Sequence, residues 1–129
     1  MLSHVTLGVN NIEESTKFYD AVMETIGYQR GSCGESWVGY GDISGKCIDT
    51  LWLLTPANGE AATSGNGTNV GLVAPTRESV DKFYNTALAN GGVDEGAPGI
   101  RAVNHPNFYA AYVRDLDGNK LLAVCHEAE

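Results

Sequence analysis

HVTLGVNNIEESTKFYDAVMETIGY, residues 4–28, and NVGLVAPTRESVDKFYNTALANGGV, residues 69–93, lie over one another at a constant offset of 65 with no gap. Val5 meets Val70, Leu7 meets Leu72, Glu13 meets Glu78, Lys17-Phe18-Tyr19 meets Lys82-Phe83-Tyr84, and Gly27 meets Gly92. Those are seven identities in 25 positions. Unrelated segments would share about one or two, and self-similarity at one fixed offset marks a repeat. Each copy opens with the period of a strand: Val5, Leu7 and Val9 point one way, His4, Thr6 and Gly8 the other. Each continues as an amphipathic helix. Asn11, with Glu14 three residues on, and Thr76 are the expected N-caps. Ser15, Phe18, Tyr19, Val22, Met23 and Ile26 make one buried face; Val80, Phe83, Tyr84, Ala87 and Leu88 make its counterpart. Gly27 and Gly91-Gly92 close the helices.

Outward from the repeat, three short strands are expected after the first helix, at residues 28–33, 36–42 and 47–54, separated by Gly34 and a Ser44-Gly45 turn. The Asp42-Ile43-Ser44-Gly45-Lys46 stretch resembles Asp115-Leu116-Asp117-Gly118-Asn119-Lys120 with one residue fewer, so each module ends in a hairpin and a last strand, the second at residues 119–126. Between the copies, PANGEAATSGNGT (56–68) has the composition of a flexible linker. The chain therefore reads as one α+β domain over residues 1–129, built of two β-α-β-β-β modules at about 1–55 and 68–129 with a linker at 56–67. One such half has too little core to stand alone. Two side by side predict a curved, mostly antiparallel eight-stranded sheet around a cavity. Val5, Leu7, Val70, Leu72, Leu121 and Ala123 would then face the helices, and His4, Thr6, Asn69, Gly71, Leu122 and Val124 the cavity.

With 43% apolar residues, 129 residues suffice for a folded globule. A formal charge of −8 repels phosphate, so nucleic acid and anionic membranes are poor partners, while a cationic or neutral small-molecule ligand is compatible. Cys33, Cys47 and Cys125 are an odd number without CxxC spacing, which points to reduced thiols packed as small hydrophobes and to a cytoplasmic protein. No apolar run approaches the roughly 20 residues that span a bilayer, and the N-terminus alternates like a strand rather than reading as a signal peptide. Neither a phosphate loop nor a Ser-His-Asp set is present.

The opening LSHVTLGVNNIEESTKFYDAV, with a His on the first strand and an FY pair on the helix, resembles the glyoxalase/bleomycin resistance protein/dioxygenase family, the vicinal oxygen chelate superfamily. The second half is similar along its length to bacterial members, most specifically in ALANGG…GAPG and FYAAYVRDLDGNK. The resemblance implies paired modules, a homodimer, and in the enzymes a divalent metal that polarises two neighbouring substrate oxygens or binds oxygen itself. Its usual ligands are a first-strand His, a fourth-strand side chain, a fifth-strand His or Glu and an eighth-strand Glu. Carried onto this chain, these positions are His4, a residue near Trp52 (with Thr50 and Leu54 on the same face), Asn69 and Leu122. Leucine cannot bind a metal, and Asn offers a neutral carbonyl that suits calcium better than zinc, nickel or iron. No cofactor is expected, unless a divalent metal still binds the degenerate site through His4.

An aromatic-lined cavity with few polar groups is the default small-molecule site, which singles out Trp52 and Tyr109 as ligand contacts. His105 reads as a loop residue at the cavity mouth and His126 as an inward residue near the sheet end. Three functions stand side by side. One is a metal-free protein that binds a small organic molecule in the cavity. Another is an enzyme, a lactoylglutathione lyase-like lyase or isomerase or a dioxygenase, with an unconventional metal or with His4 as acid/base. The third is an interaction module with a vestigial cavity.

Overall fold

A computed structural model describes residues 1–42 and 49–129. The element order is β1 (Val5–Gly8), α1 (Ile12–Glu24), β2 (Tyr28–Cys33), β3 (Trp37–Asp42), β4 (Asp49–Leu54), β5 (Val70–Val73), α2 (Arg77–Ala89), β6 (Val93–Ile100), β7 (Tyr109–Arg114) and β8 (Lys120–Cys125). This is β-α-β-β-β twice, as the repeat requires. The expected turn at 43–46 and the start of the expected strand at 47, with Cys47, lie outside the described residues.

The strands form two four-stranded mixed sheets, ordered β1-β4-β3-β2 and β5-β8-β7-β6, rather than one continuous eight-stranded sheet. In each, the first strand pairs in parallel with the fourth and the other pairs are antiparallel. The parallel pair explains the division. A module's first strand takes its own fourth strand as neighbour, so each sheet is complete within its module, and the modules share one buried cluster.

Side-chain alternation sends one face of each sheet to the helices. Leu7, Val9, Leu51 and Leu53 of the first, and Leu72, Leu121 and Ala123 of the second, share one buried cluster with Phe18, Tyr19, Val22, Met23, Val80 and Phe83. Removing such side chains from water contributes about 1.5–3 kcal/mol each, the main reason the halves hold together. Leu88, expected in the helix face, is exposed at its rim. Asn11 caps α1 by accepting from the Glu14 N–H, and Thr76 caps α2 in a reciprocal box with Ser79. Gly27 (φ 87°) closes the first helix as expected; in the second the left-handed residue is Gly91 (φ 96°), one position before the aligned Gly92. Cys125 is buried, but Cys33 is exposed on the edge strand β2 instead of packing in the core.

A buried polar junction ties the modules. Asp115, at the end of β7, accepts from the Tyr19 hydroxyl (2.6 Å), from the backbone N–H groups of Asp117 and Asn119, and from the Asn119 amide. The same Asn119 amide donates to the carbonyl of Gly8 (2.9 Å). Asp117 accepts from the Asn10 backbone and side chain and from Ser15. The connecting segment is fastened here too, since the Ala62 N–H donates to Asn10 Oδ1 (2.7 Å).

Candidate functional site

The face of the first sheet turned away from the helices carries a pocket of about 450 Å³ lined by His4, Thr6, Trp37, Asp49, Trp52 and Leu54. Register places these side chains. Thr6 lies beside Trp52, Trp52 beside Gly39, and Trp37 beside Leu54. The two indoles stand 5.4 Å apart between centroids, tilted by 47°. His4 presents its ring edgewise to Trp52 at 6.3 Å and shares a 2.9 Å hydrogen bond with the Ser3 hydroxyl.

Asp49 is the residue that simple alternation misassigns. Counted back from Leu51 and Leu53, it belongs on the helix face. Yet Tyr40 pairs with Leu51 while the next residue, Gly41, pairs with Asp49, leaving Thr50 as an extra residue in a bulge. The bulge turns Asp49 onto the open face and takes Thr50 out of it. Thr50 lines a separate depression shared with Val70, Gly71 and Leu72. The Asp49 carboxyl accepts from the Ser32 N–H (3.2 Å) and lies over Gly31 and Gly39. A Cβ at Gly39 would stand 2.7 Å from Asp49 Cγ, and one at Gly31 would collide with Oδ1. Glycine at both positions makes the room the carboxyl fills. An acidic residue at a core-parity position in DTLWLL was the available signal of this bulge.

The open face of the second sheet is different. Phe108, Ala110, Tyr112, Leu122 and Val124 pack on one another, with Leu122 only 7% exposed. Asn69 is exposed, one residue before β5. The pocket that joins His4 to Trp52 is lined by neither Asn69 nor Leu122, and His4 also borders the depression that holds Thr50, Val70 and Gly71. Tyr109 also departs from expectation. It faces α2, packs on the main core, and donates to Asp81 Oδ1 at 2.6 Å, because β7 sends odd-numbered residues to the helix side. That hydrogen bond, then burial, raises its phenol above the ordinary value.

His105 lies in the loop before β7, half-buried, and His126 follows β8, exposed. Their rings stack at 5.1 Å with Nε2 of His105 2.8 Å from Nδ1 of His126, and Phe108 abuts both. His105 Nδ1 accepts from the Asn107 N–H, which leaves its Nε2 to donate to His126 Nδ1. They form a unit of their own on the second sheet, apart from the His4 pocket.

The profile of the Glyoxalase/Bleomycin resistance protein/Dioxygenase superfamily matches residues 1–122. The chain belongs to that superfamily. A glyoxalase/bleomycin resistance protein from Albidiferax ferrireducens T118 is 41% identical, with a TM-score of 0.88 over 97% of this chain and 98% of that one. A family enzyme from Burkholderia phytofirmans PsJN, 20% identical, superposes with a TM-score of 0.73 over 97% and 98% of the two chains. Among curated proteins, none matches. The superfamily often uses divalent metals, but the residues present do not fit one. The position on β8 is an alkyl side chain within an apolar cluster, the one on β4 an indole, and the one before β5 a neutral amide. Among the described residues, no three His, Cys, Asp or Glu side chains form a group that could hold a metal ion. Nor, among them, is any helix long and apolar enough to cross a membrane.

Proposed function

We propose that this superfamily member binds a small organic molecule in the pocket over the first sheet, without a family-type metal centre, and works as a homodimer. The pocket itself carries the reading. Its volume of about 450 Å³ falls in the range of small-molecule sites. Its walls are indole and aliphatic, with the hydroxyls of Ser3 and Thr6, one imidazole and one carboxyl to orient a guest. Sequestration of a ligand needs no more than this.

Both tryptophans of the chain line the pocket, so intrinsic fluorescence reports on it directly. A screen of small organic molecules read by tryptophan emission and by thermal shift should find compounds that change both. Trp52→Ala should abolish the response while leaving the secondary structure intact. A screen in which compounds stabilise the protein equally with and without Trp52 would place binding elsewhere. The alternative of a metal-dependent lyase, isomerase or dioxygenase requires donors that Leu122 and Trp52 do not offer. Elemental analysis after metal-supplemented purification separates the two readings, because one metal per chain held through His4 would favour the enzyme.

A further inference from the structure

We propose that the first-sheet pocket selects an organic cation, with Asp49 as the residue that determines the charge of the guest; this rests on reading the pocket as a binding site. An indole attracts a cation to its face through its quadrupole, and tryptophan does so best among the aromatic residues. Here two indoles 5.4 Å apart share a pocket with a carboxyl group, and among the described residues neither lysine nor arginine is part of the lining. The carboxyl reaches this face through a bulge and two adjacent glycines. Ser32 contributes one hydrogen bond to it, while a carboxylate offers about four acceptor positions.

The repeat supplies an internal comparison. Gly71 lies beside Leu122, and Leu122 beside Tyr112, just as Thr6 lies beside Trp52 and Trp52 beside Gly39. Leu122 is therefore the counterpart of Trp52, and Tyr112 of Gly39. In the second module the aromatic ring of this face is covered by cations of the chain itself. The Arg101 guanidinium stands 5.6 Å and the Lys120 ammonium 5.5 Å from the Tyr112 centroid. In the first module neither Trp37 nor Trp52 has such a partner among the described residues. The same sheet face is thus satisfied from within in one copy and open, with a negative group beside it, in the other. The net charge of −8 would also draw cations towards the molecule.

The test uses matched probes on the intact protein: choline, its uncharged isostere 3,3-dimethylbutan-1-ol, and benzoate as an anion, each titrated against tryptophan emission. Choline should bind about tenfold tighter than the isostere, and benzoate weakest. Asp49→Asn should remove most of that preference without changing affinity for the neutral probe. In the native protein, raising the salt concentration should weaken choline and leave the isostere unaffected, a readout that holds even if the variant folds poorly. Equal binding of choline and the isostere, tighter binding of benzoate, or an unchanged preference in Asp49→Asn would overturn the proposal and leave the pocket standing as a site for uncharged or anionic guests. If no probe and no compound of the wider screen perturbs either tryptophan, the binding reading falls with it.

Discussion

A methyl group at position 39 would sit 2.7 Å from Asp49 Cγ, closer than real carbon contacts come. Gly39→Ala should therefore displace the carboxyl without unfolding the strand, and choline affinity should drop about tenfold, close to that of Asp49→Asn. A Gly39→Ala protein that binds choline like the native one would show that the carboxyl position does not matter. The role of Asp49 was hidden from sequence reading because a bulge is set by the ladder across the sheet, whereas alternation is counted along one strand. His4 and Trp52 needed no such correction, since β1 and the later part of β4 run without interruption. Tyr109 failed because its register, one residue from Phe108, decides between pocket side and helix side. Tyr19 supports a second residue-level prediction. Burial first, and then the charge of Asp115, hold its phenol well above the ordinary 10.0. An unfolded tyrosine loses its proton near that pH while the folded one keeps it. Stability is then full below pH 10 and falls as pH rises further, by about 1.4 kcal/mol per pH unit for each such group. Urea unfolding between pH 8 and 11 should show the decline, with a shallower slope in Tyr19→Phe. An unchanged slope would remove Tyr19 from the explanation. Tyr40, held up by burial and its bond to Asp20, continues the decline in that variant.

At the level of elements, the turn between β7 and β8 acts as the clasp of the two modules. Asp115 accepts four hydrogen bonds in a buried setting, and Asp117 accepts from Asn10 and Ser15 at a half-exposed one. Asp115→Ala should cost about 3 kcal/mol or more, because Tyr19 and Asn119 would keep buried donors without an acceptor. Asp117→Ala should cost about 1 kcal/mol, since water can replace it. Chemical denaturation of both variants checks the order, and equal losses would contradict it. The helices and strands were readable from periodicity, and Asn11 and Thr76 from capping chemistry. The turn was readable as a hairpin from Asp-Gly. Its reach across to Gly8, Asn10 and Tyr19 was not, because those partners are about 100 residues away along the chain and no local pattern marks them. The connecting segment shows the same limit: a linker composition with its Ala62 N–H fastened to Asn10.

For the whole molecule, the division into two sheets leaves His4 and Trp52 on one open face and Leu122 on another. Val73, Ile100 and Val103 are exposed, and β2 and β6 are edge strands. Covering such edges and side chains by a second copy is the expected outcome. Light scattering at micromolar concentration should give twice the 13.7 kDa chain mass, and a monomer there would count against the homodimer. The two sheet faces also differ in how they are filled. A gene that doubles its unit frees one copy from whatever both once did. Here the second copy fills its face with Tyr112, Leu122 and Val124 and sets its own Arg101 and Lys120 against it, while the first has glycines at 31 and 39 and an aromatic pocket. Descendants of that ancestor should therefore diverge unevenly: the second module constrained by packing, the first free to exchange its guest by changing a handful of side chains around Asp49.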